Sequence, residues 1–179
     1  FTEGCIGDWA EDTLAAVEAL TEGPILPVGS SMGGWQSLLL VRALPARIAG
    51  LVTIAAAPDF TEDGYWASFT EAQKKTLAET GQVELPSDYM EPYIITRRMI
   101  EDGRTQLVLR DPLHLPFPTR FLQGTADTAV SVATAVRLLE HAQGPDMQLQ
   151  LVKDADHRFS DDRCLELLIQ AVEEVSATA

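Results

Sequence analysis

The sequence has few of the features that mark metal-binding, membrane-spanning or nucleic-acid-binding proteins. Only two of its 179 residues are cysteines, and no spacing joins Cys5 or Cys164 to the three histidines as a metal-ligand set. No apolar run approaches the roughly 20 residues that cross a bilayer. Basic residues are also scarce, since 13 lysines and arginines stand against 27 acidic residues, for a net charge of −14. We therefore expect reduced thiols, no metal, no membrane association and no nucleic-acid partner, because anionic surfaces would repel the chain.

The sequence begins with Phe1 and shows no basic stretch followed by an apolar one. We expect the chain to be a processed or trimmed product or a fragment of a longer protein, and to be cytoplasmic. Its length predicts one domain over residues 1–179. A chain of this size buries roughly 70% of the surface that it exposes when unfolded, which is enough for a sizeable core.

What the sequence does contain is an alternation of short apolar segments with helical patterns. The segments that predict buried strands are residues 24–28, 51–54, 119–122 and 147–152. Helices are predicted from a cap at Asp8 to just before Gly23-Pro24, over 35–44 and 132–141, and from Ser160 onward. Apolar strands separated by helices are typical of a parallel sheet with helices on both faces, so we predict an α/β fold.

Residues 59–116 break the alternation, because they are richer in charged and aromatic side chains. We predict that they form a helical lid insert, with helices around 70–80 and 93–103. Such an insert would lie at the C-terminal side of the strands, where parallel sheets place their ligand sites. Four aromatic residues of the insert are candidates for lining an apolar substrate pocket, although packing within the protein would use them equally well. They are Tyr65, Trp66, Phe69 and Tyr89.

One motif carries chemistry. Residues 29–33 read Gly-Ser-Ser-Met-Gly and match the pattern G-x-S-x-G, with Ser31 at its centre. An apolar strand precedes the motif and a buried helix follows it, which is the setting of a nucleophile elbow. There the N–H of Met32, at the start of the helix, would stabilise a developing oxyanion. A plain Gly/Ser turn or a phosphate loop is the other interpretation, but no Lys-Ser/Thr pair follows as a Walker loop requires.

A serine hydroxyl needs a base to take its proton, and three histidines compete for that role. His157 follows the last predicted strand, whereas His114 lies among prolines in the insert and His141 lies in the last turn of a helix. We therefore favour His157 as the base.

The histidine in turn needs an orienting carboxylate. Asp127 follows the third predicted strand, while Asp154 and Asp156 share one loop with His157. Neighbours on one loop cannot easily approach the same imidazole from behind, so we favour Asp127. Ser31, Asp127 and His157 then occur in the chain order that α/β-hydrolases use.

Residues 28–35, 122–127 and 156–158, which hold these three side chains, resemble the α/β-hydrolase superfamily. They are similar above all to its small branch of acyl-protein thioesterases and acyl-glucuronide esterases, which has mitochondrial and bacterial members. The resemblance implies hydrolysis of a small apolar ester or thioester through an acyl-Ser31 intermediate. It also implies that the aspartate orients the histidine base, that no cofactor is needed, and that a mitochondrial location is an alternative.

The number of strands departs from the superfamily pattern. We count four convincing strands, fewer than its members usually have, and nothing before the Asp8 helix matches the glycine-rich segment that supplies a second oxyanion donor. Without earlier strands, the segment at 25–28 would be a sheet edge with unpaired backbone groups, through which the chain could self-associate. Two alternatives therefore stay open: a non-catalytic α/β-hydrolase-like binding module or inactive truncated fragment, and a related reaction such as acyl transfer.

Overall fold

A computed structural model describes residues 2–86 and 92–178 of the chain. In chain order the helices and strands are α1 (Ile6–Leu20), β1 (Val28–Ser30), α2 (Met32–Ala43), a 3-10 turn (Pro45–Arg47), β2 (Leu51–Ile54), a π-helix (Phe60–Trp66), α3 (Glu71–Thr80), β3 (Gln82–Leu85), β4 (Tyr93–Thr96), α4 (Arg97–Thr105), β5 (Leu113–His114), β6 (Thr119–Gly124), α5 (Val132–His141), β7 (Ala142–Gln143), β8 (Met147–Val152) and α6 (Asp162–Thr178). The chain divides into two compact units.

The first unit holds Phe1–Thr13 with Asp59–Leu107, and the second holds Leu14–Pro58 with Val108–Ala179. The lid insert predicted over 59–116 begins where the second segment of the first unit begins. That unit ends earlier, at Leu107, and it also takes in the N-terminal residues. The assignment of the whole chain to one domain stays a prediction.

The second unit is built on a parallel sheet in the order β1-β2-β6-β8. β2 lies between β1 and β6, and all six residues of β6 pair with β8. All four residues of β2 are buried, because a central parallel strand is covered on both faces and must be apolar throughout. The core cluster that joins this sheet to α6 consists of Val52, Ile54, Ala55, Leu122, Val152, Ala155, Phe159, Cys164, Ala171 and Val175.

The helix that follows the G-x-S-x-G motif, which the sequence predicted to be buried, is the most deeply buried of the predicted helices. α2 is buried continuously from Gly34 to Val41, and Trp35 is fully buried. The strand before the motif is shorter and later than expected: β1 begins at Val28, and Ile25 makes only an isolated bridge to Ile48. Pro24 and Pro27 explain the difference, since a proline has no N–H to donate to a strand ladder.

The first unit contains a small antiparallel hairpin, β3 with β4, and its helices. Residues 93–103 were predicted as one helix, and this was wrong for the first four residues. Tyr93–Thr96 form β4, because aromatic and β-branched residues favour a pleated strand. α4 then begins at Arg97, with the Thr96 side chain accepting the Met99 N–H at 3.1 Å. The helix predicted around 70–80 is α3, which starts with a Thr70 capping box.

The cap predicted for the first helix was also wrong. α1 begins at Ile6, two residues before Asp8. The Asp8 carboxylate instead reaches back from the first turn, where it accepts the Cys5 N–H at 3.1 Å and pairs with Arg98 at 2.8 Å. A carboxylate in the first turn is favourable there because it faces the free N–H groups of the helix start.

Candidate active site

The first candidate residue, Ser31, lies at the junction of β1 and α2. Its backbone has φ 54° and ψ −120°, a conformation that residues other than glycine rarely adopt. Hydrogen bonds on both sides hold it there: the Ser31 N–H donates to the Ile54 carbonyl at 2.8 Å, and the Ser31 carbonyl accepts from Gly34 at 3.0 Å and from Ala57 at 3.1 Å. The strained turn is therefore held by hydrogen bonds to the end of β2, to the segment that follows it and to the first turn of α2.

Glycine at position 29 is required by the tightness of this turn. A side-chain Cβ on Gly29 would overlap the Gly33 carbonyl and the Ser37 hydroxyl. A Cβ on Gly34 would lie 2.7 Å from the Cβ of Ala56. Gly29 and Gly34 thus allow α2 to start directly above β1.

Ser31 and His157 are brought together although 126 residues separate them in the chain. The His157 Nε2 lies 3.1 Å from the Ser31 Oγ, and the His157 Nδ1 lies 2.9 Å from the Asp127 Oδ2. The imidazole is about a third exposed, while the Asp127 side chain is fully buried. The hydroxyl, the imidazole and the carboxylate therefore form one continuous series of hydrogen bonds, with the carboxylate at its buried end.

The Asp127 carboxylate is held by donors on both of its oxygens. Oδ1 accepts the N–H groups of Ala129 and Val130, each at 2.8 Å, and Oδ2 accepts from Gln123 and His157. Burial by itself raises the pKa of this carboxyl. The hydrogen bonds from Val130, His157, Gln123 and Ala129 together outweigh burial and hold the pKa below its ordinary value. The group is therefore a carboxylate at neutral pH and a suitable partner for an imidazolium.

The loops that carry Asp127 and His157 are joined to each other by hydrogen bonds. The Thr125 N–H donates to the Val152 carbonyl at 2.9 Å, and the Ala126 N–H donates to the Ala155 carbonyl at 3.0 Å. In the other direction, the Asp154 N–H donates to the Thr125 hydroxyl at 2.9 Å. The distance between carboxylate and imidazole is thus set by the adjacent ends of β6 and β8.

The competing aspartates and histidines occupy other places. The Asp156 Oδ1 accepts the N–H groups of Arg158 and Phe159, so this side chain closes its own turn. Asp154 contributes its backbone to the Thr125 contact. The His141 Nε2 lies 2.8 Å from the Asp111 carbonyl, and His114 lies in β5.

Three of the four aromatic pocket candidates lie in the first unit. Phe69 is 5% exposed and belongs to that unit's apolar core, with Tyr65 and Trp66 packed against it. The guanidinium of Arg104 also lies over the Trp66 ring, 4.6 Å from its centroid. Tyr89 lies outside the described residues. The role of these side chains as pocket lining stays a prediction.

Sequence reasoning missed Gln123, which donates to Asp127 from within β6. One signal was available: Gln123 directly follows Phe121 and Leu122 of a strand predicted to be buried, and a buried amide needs a partner. In the described part of the chain there is no helix long and apolar enough to cross a membrane. The same residues contain no group of three or more side chains arranged to hold a metal ion.

Comparison with solved structures identifies the fold family. A protein assigned as a hydrolase from Agrobacterium vitis S4 is 37% identical to this chain and superimposes with a TM-score of 0.93, over 98% of this chain and 70% of its own length. The chain belongs to the α/β-hydrolase superfamily. The predictions of the superfamily and of a parallel sheet flanked by helices are therefore confirmed. No family model matches the sequence.

Two further relatives place this α/β-hydrolase chain near the thioesterase branch that its motifs resemble. Mouse α/β-hydrolase domain-containing protein 10 is 27% identical, with a TM-score of 0.89 over 99% of this chain and 71% of its own. Bovine mitochondrial palmitoyl-protein thioesterase ABHD10 is 30% identical over 178 residues, which cover 97% of this chain and 57% of the relative. The chain thus spans somewhat more than half the length of the curated relatives that it matches.

Proposed function

We propose that this α/β-hydrolase chain hydrolyses thioesters or carboxylic esters through an acyl-Ser31 intermediate. The observation that carries the proposal is the unbroken series of hydrogen bonds from Ser31 through His157 to Asp127. Each member follows a strand of the parallel sheet, at the carboxyl ends of the strands, where such sheets hold their ligands. The relatives named as thioesterases support the same reaction class.

The proposed reaction has two halves. In the first, the His157 Nε2 takes the Ser31 proton while Oγ attacks the acyl carbon, and the imidazolium then returns the proton to the leaving thiol or alcohol. In the second, the same nitrogen takes a proton from water, which attacks the acyl-enzyme and releases the acid. Asp127 stays ionised throughout and stabilises the imidazolium in both halves.

The oxyanion of each tetrahedral intermediate requires backbone donors. Met32 is the first residue of α2, so its N–H has no partner inside the helix and lies at the positive end of the helix dipole. We propose this N–H as one donor. Removing a single donor from such a site typically lowers kcat by about 10²- to 10³-fold.

The substrate that we propose has an apolar acyl chain. The relatives' name specifies a palmitoyl group on a protein. A mitochondrial location, which the same relatives' name states for them, is proposed here in preference to a cytoplasmic one.

Labelling with a fluorophosphonate probe tests the nucleophile. We expect modification at Ser31 alone, turnover of p-nitrophenyl butyrate and of an S-acyl thioester, and loss of both activities in Ser31→Ala. Label on another residue would refute the assignment. Turnover no greater than that of Ser31→Ala would instead favour a non-catalytic binding module.

Self-association through the edge of the sheet is a separate proposal. β1 lies at one end of the strand order, and Val28 is 48% exposed. Sedimentation velocity measures it directly: we expect a concentration-dependent dimer that a proline at Val28 weakens. A monomer at every concentration would contradict it.

A further inference from the structure

A buried glutamine lies behind the carboxylate of the candidate triad. Gln123 is the penultimate residue of β6, and its side chain is completely buried. We propose that Gln123 is a positioning residue, which holds the Asp127 carboxylate in the orientation that the His157 imidazole needs. This inference rests on the hydrolytic function proposed above, and it adds a fourth side chain to the machinery.

The surroundings of the amide determine which way it faces. The Gln123 Nε2 lies 3.0 Å from the Asp127 Oδ2, 3.1 Å from the Gly124 carbonyl and 3.1 Å from the Val130 carbonyl. All three partners are acceptors, so only the NH2 group can occupy this position. The Oε1 of Gln123 has no hydrogen-bond partner among the described residues. The amide orientation therefore satisfies the nitrogen with acceptors and leaves the buried oxygen without a hydrogen bond, which costs free energy.

The three acceptors show what the amide does. Gly124 and Val130 lie at the two ends of the loop that carries Asp127, so one NH2 group closes that loop at both ends. The third acceptor, Oδ2, is the same oxygen that accepts from the His157 Nδ1. Gln123 and His157 thus approach one carboxylate oxygen from different directions, while backbone N–H groups hold the other oxygen.

Removing the amide should loosen the triad without unfolding it. The terminal torsion of an aspartate is broad, and without Gln123 only His157 would restrain Oδ2. Removing a hydrogen bond to a charged group lowers a rate by about 10- to 100-fold when that bond supports only the geometry of the transition state. Because Gln123 does not contact the substrate in this proposal, KM should change little.

The test uses Gln123→Met, which keeps the length of the side chain and removes the donor. The readouts are kcat and KM for p-nitrophenyl butyrate, and the downfield proton NMR resonance of the His157 Nδ1–H, identified by its loss in His157→Gln. We expect kcat to fall by about 10- to 100-fold, KM to stay near the wild-type value, and the resonance to move upfield as the bond to Asp127 weakens.

Thr119→Val is the matched control. Thr119 lies at the opposite end of β6, is also completely buried, and donates to the Phe117 carbonyl at 3.2 Å. Its side chain is about 13 Å along the strand from Gln123. This variant should lose stability as a buried hydrogen bond is removed, yet leave the His157 resonance and kcat unchanged.

The outcomes separate the two proposals. If Gln123→Met loses stability as Thr119→Val does but keeps the wild-type resonance and kcat, the glutamine is only structural and the inference is wrong. If the wild-type chain hydrolyses no ester, the proposed function fails, while the resonance still decides whether Gln123 positions Asp127. If Gln123→Met does not fold, Gln123→Leu carries the test, because it also removes the donor and places neither a charge nor an oxygen against the three acceptors; the same fall in kcat and the same upfield shift are then expected.

Discussion

Substituting Gly124 by alanine should separate the two loops that carry Asp127 and His157. A Cβ on Gly124 would lie 2.7 Å from the Ala155 carbonyl carbon and 3.0 Å from the Asp156 carbonyl oxygen, and it would overlap the Ala155 carbonyl oxygen. Non-bonded carbon atoms are normally about 3.5–4.0 Å apart, so the loops would have to move apart by about 1 Å. The φ of Gly124 lies outside the left-handed region, so the effect is purely steric.

The consequence of this shift can be followed to the imidazole. The Ala155 carbonyl accepts the Ala126 N–H, and His157 lies two residues beyond Ala155. A misplacement of about 1 Å can lower a rate by about 10²-fold. We therefore expect kcat/KM to fall by about 30- to 100-fold. Overpacking should also destabilise the fold by about 1–3 kcal/mol, which for a chain of this size lowers Tm by about 2–12 °C.

Steady-state hydrolysis of p-nitrophenyl butyrate and thermal melts measure both effects. Gly64→Ala is the stability control, because the nearest atom to a Cβ there is the Phe60 Cβ at an ordinary 3.7 Å, and its Tm should not fall. The reasoning is refuted if Gly124→Ala folds and keeps kcat/KM within about threefold of wild type, which corresponds to a change of less than about 1 kcal/mol in activation free energy.

Three further outcomes are expected. Ser31→Gly and Ser31→Ala should both be inactive, but urea unfolding should find the glycine variant more stable by about 1 kcal/mol, because the strain at φ 54° is relieved. Because the pKa of Asp127 is lowered in the folded protein, its ionised form contributes stability above the pKa of an unfolded aspartate, about 3.9, and loses that stability as the pH falls through the lower folded value. The stability gap between wild type and Asp127→Asn in urea unfolding should therefore be full at neutral pH and narrow as the pH is lowered through that range. Phe69→Ala should destabilise the first unit by about 3–5 kcal/mol in calorimetry, whereas a raised KM for long-chain esters with unchanged stability would mean that Phe69 lines a pocket instead.

Much of the second unit could be predicted from local patterns. β2 is a short apolar run and α2 is apolar nearly all round, so their burial follows from composition alone. The motif around Ser31 was recognisable because a tight turn between strand and helix needs glycines at set positions. These features depend on a few consecutive residues, and such patterns survive in a single sequence.

The errors in the first unit have two sources. Tyr93–Thr96 were predicted as part of the helix that follows them, although their aromatic and β-branched side chains favour the strand that pairs with β3. α1 begins at Ile6, so Asp8 lies in the first turn instead of at the cap, and its carboxylate there accepts the Cys5 N–H and pairs with Arg98, which lies 90 residues away. Local propensity is a weak prior wherever tertiary contacts can override it.

The sequence alone therefore determined the superfamily, the alternation of strands and helices, and the three side chains worth comparing at the strand ends. Only the tertiary structure decided that the His157 imidazole meets Asp127, and that Asp156 instead closes its own turn. It alone revealed Gln123 behind the carboxylate. The physical reason is that which side chains meet at the end of a parallel sheet depends on the order and register of its strands, and both are set by packing between segments far apart in the chain.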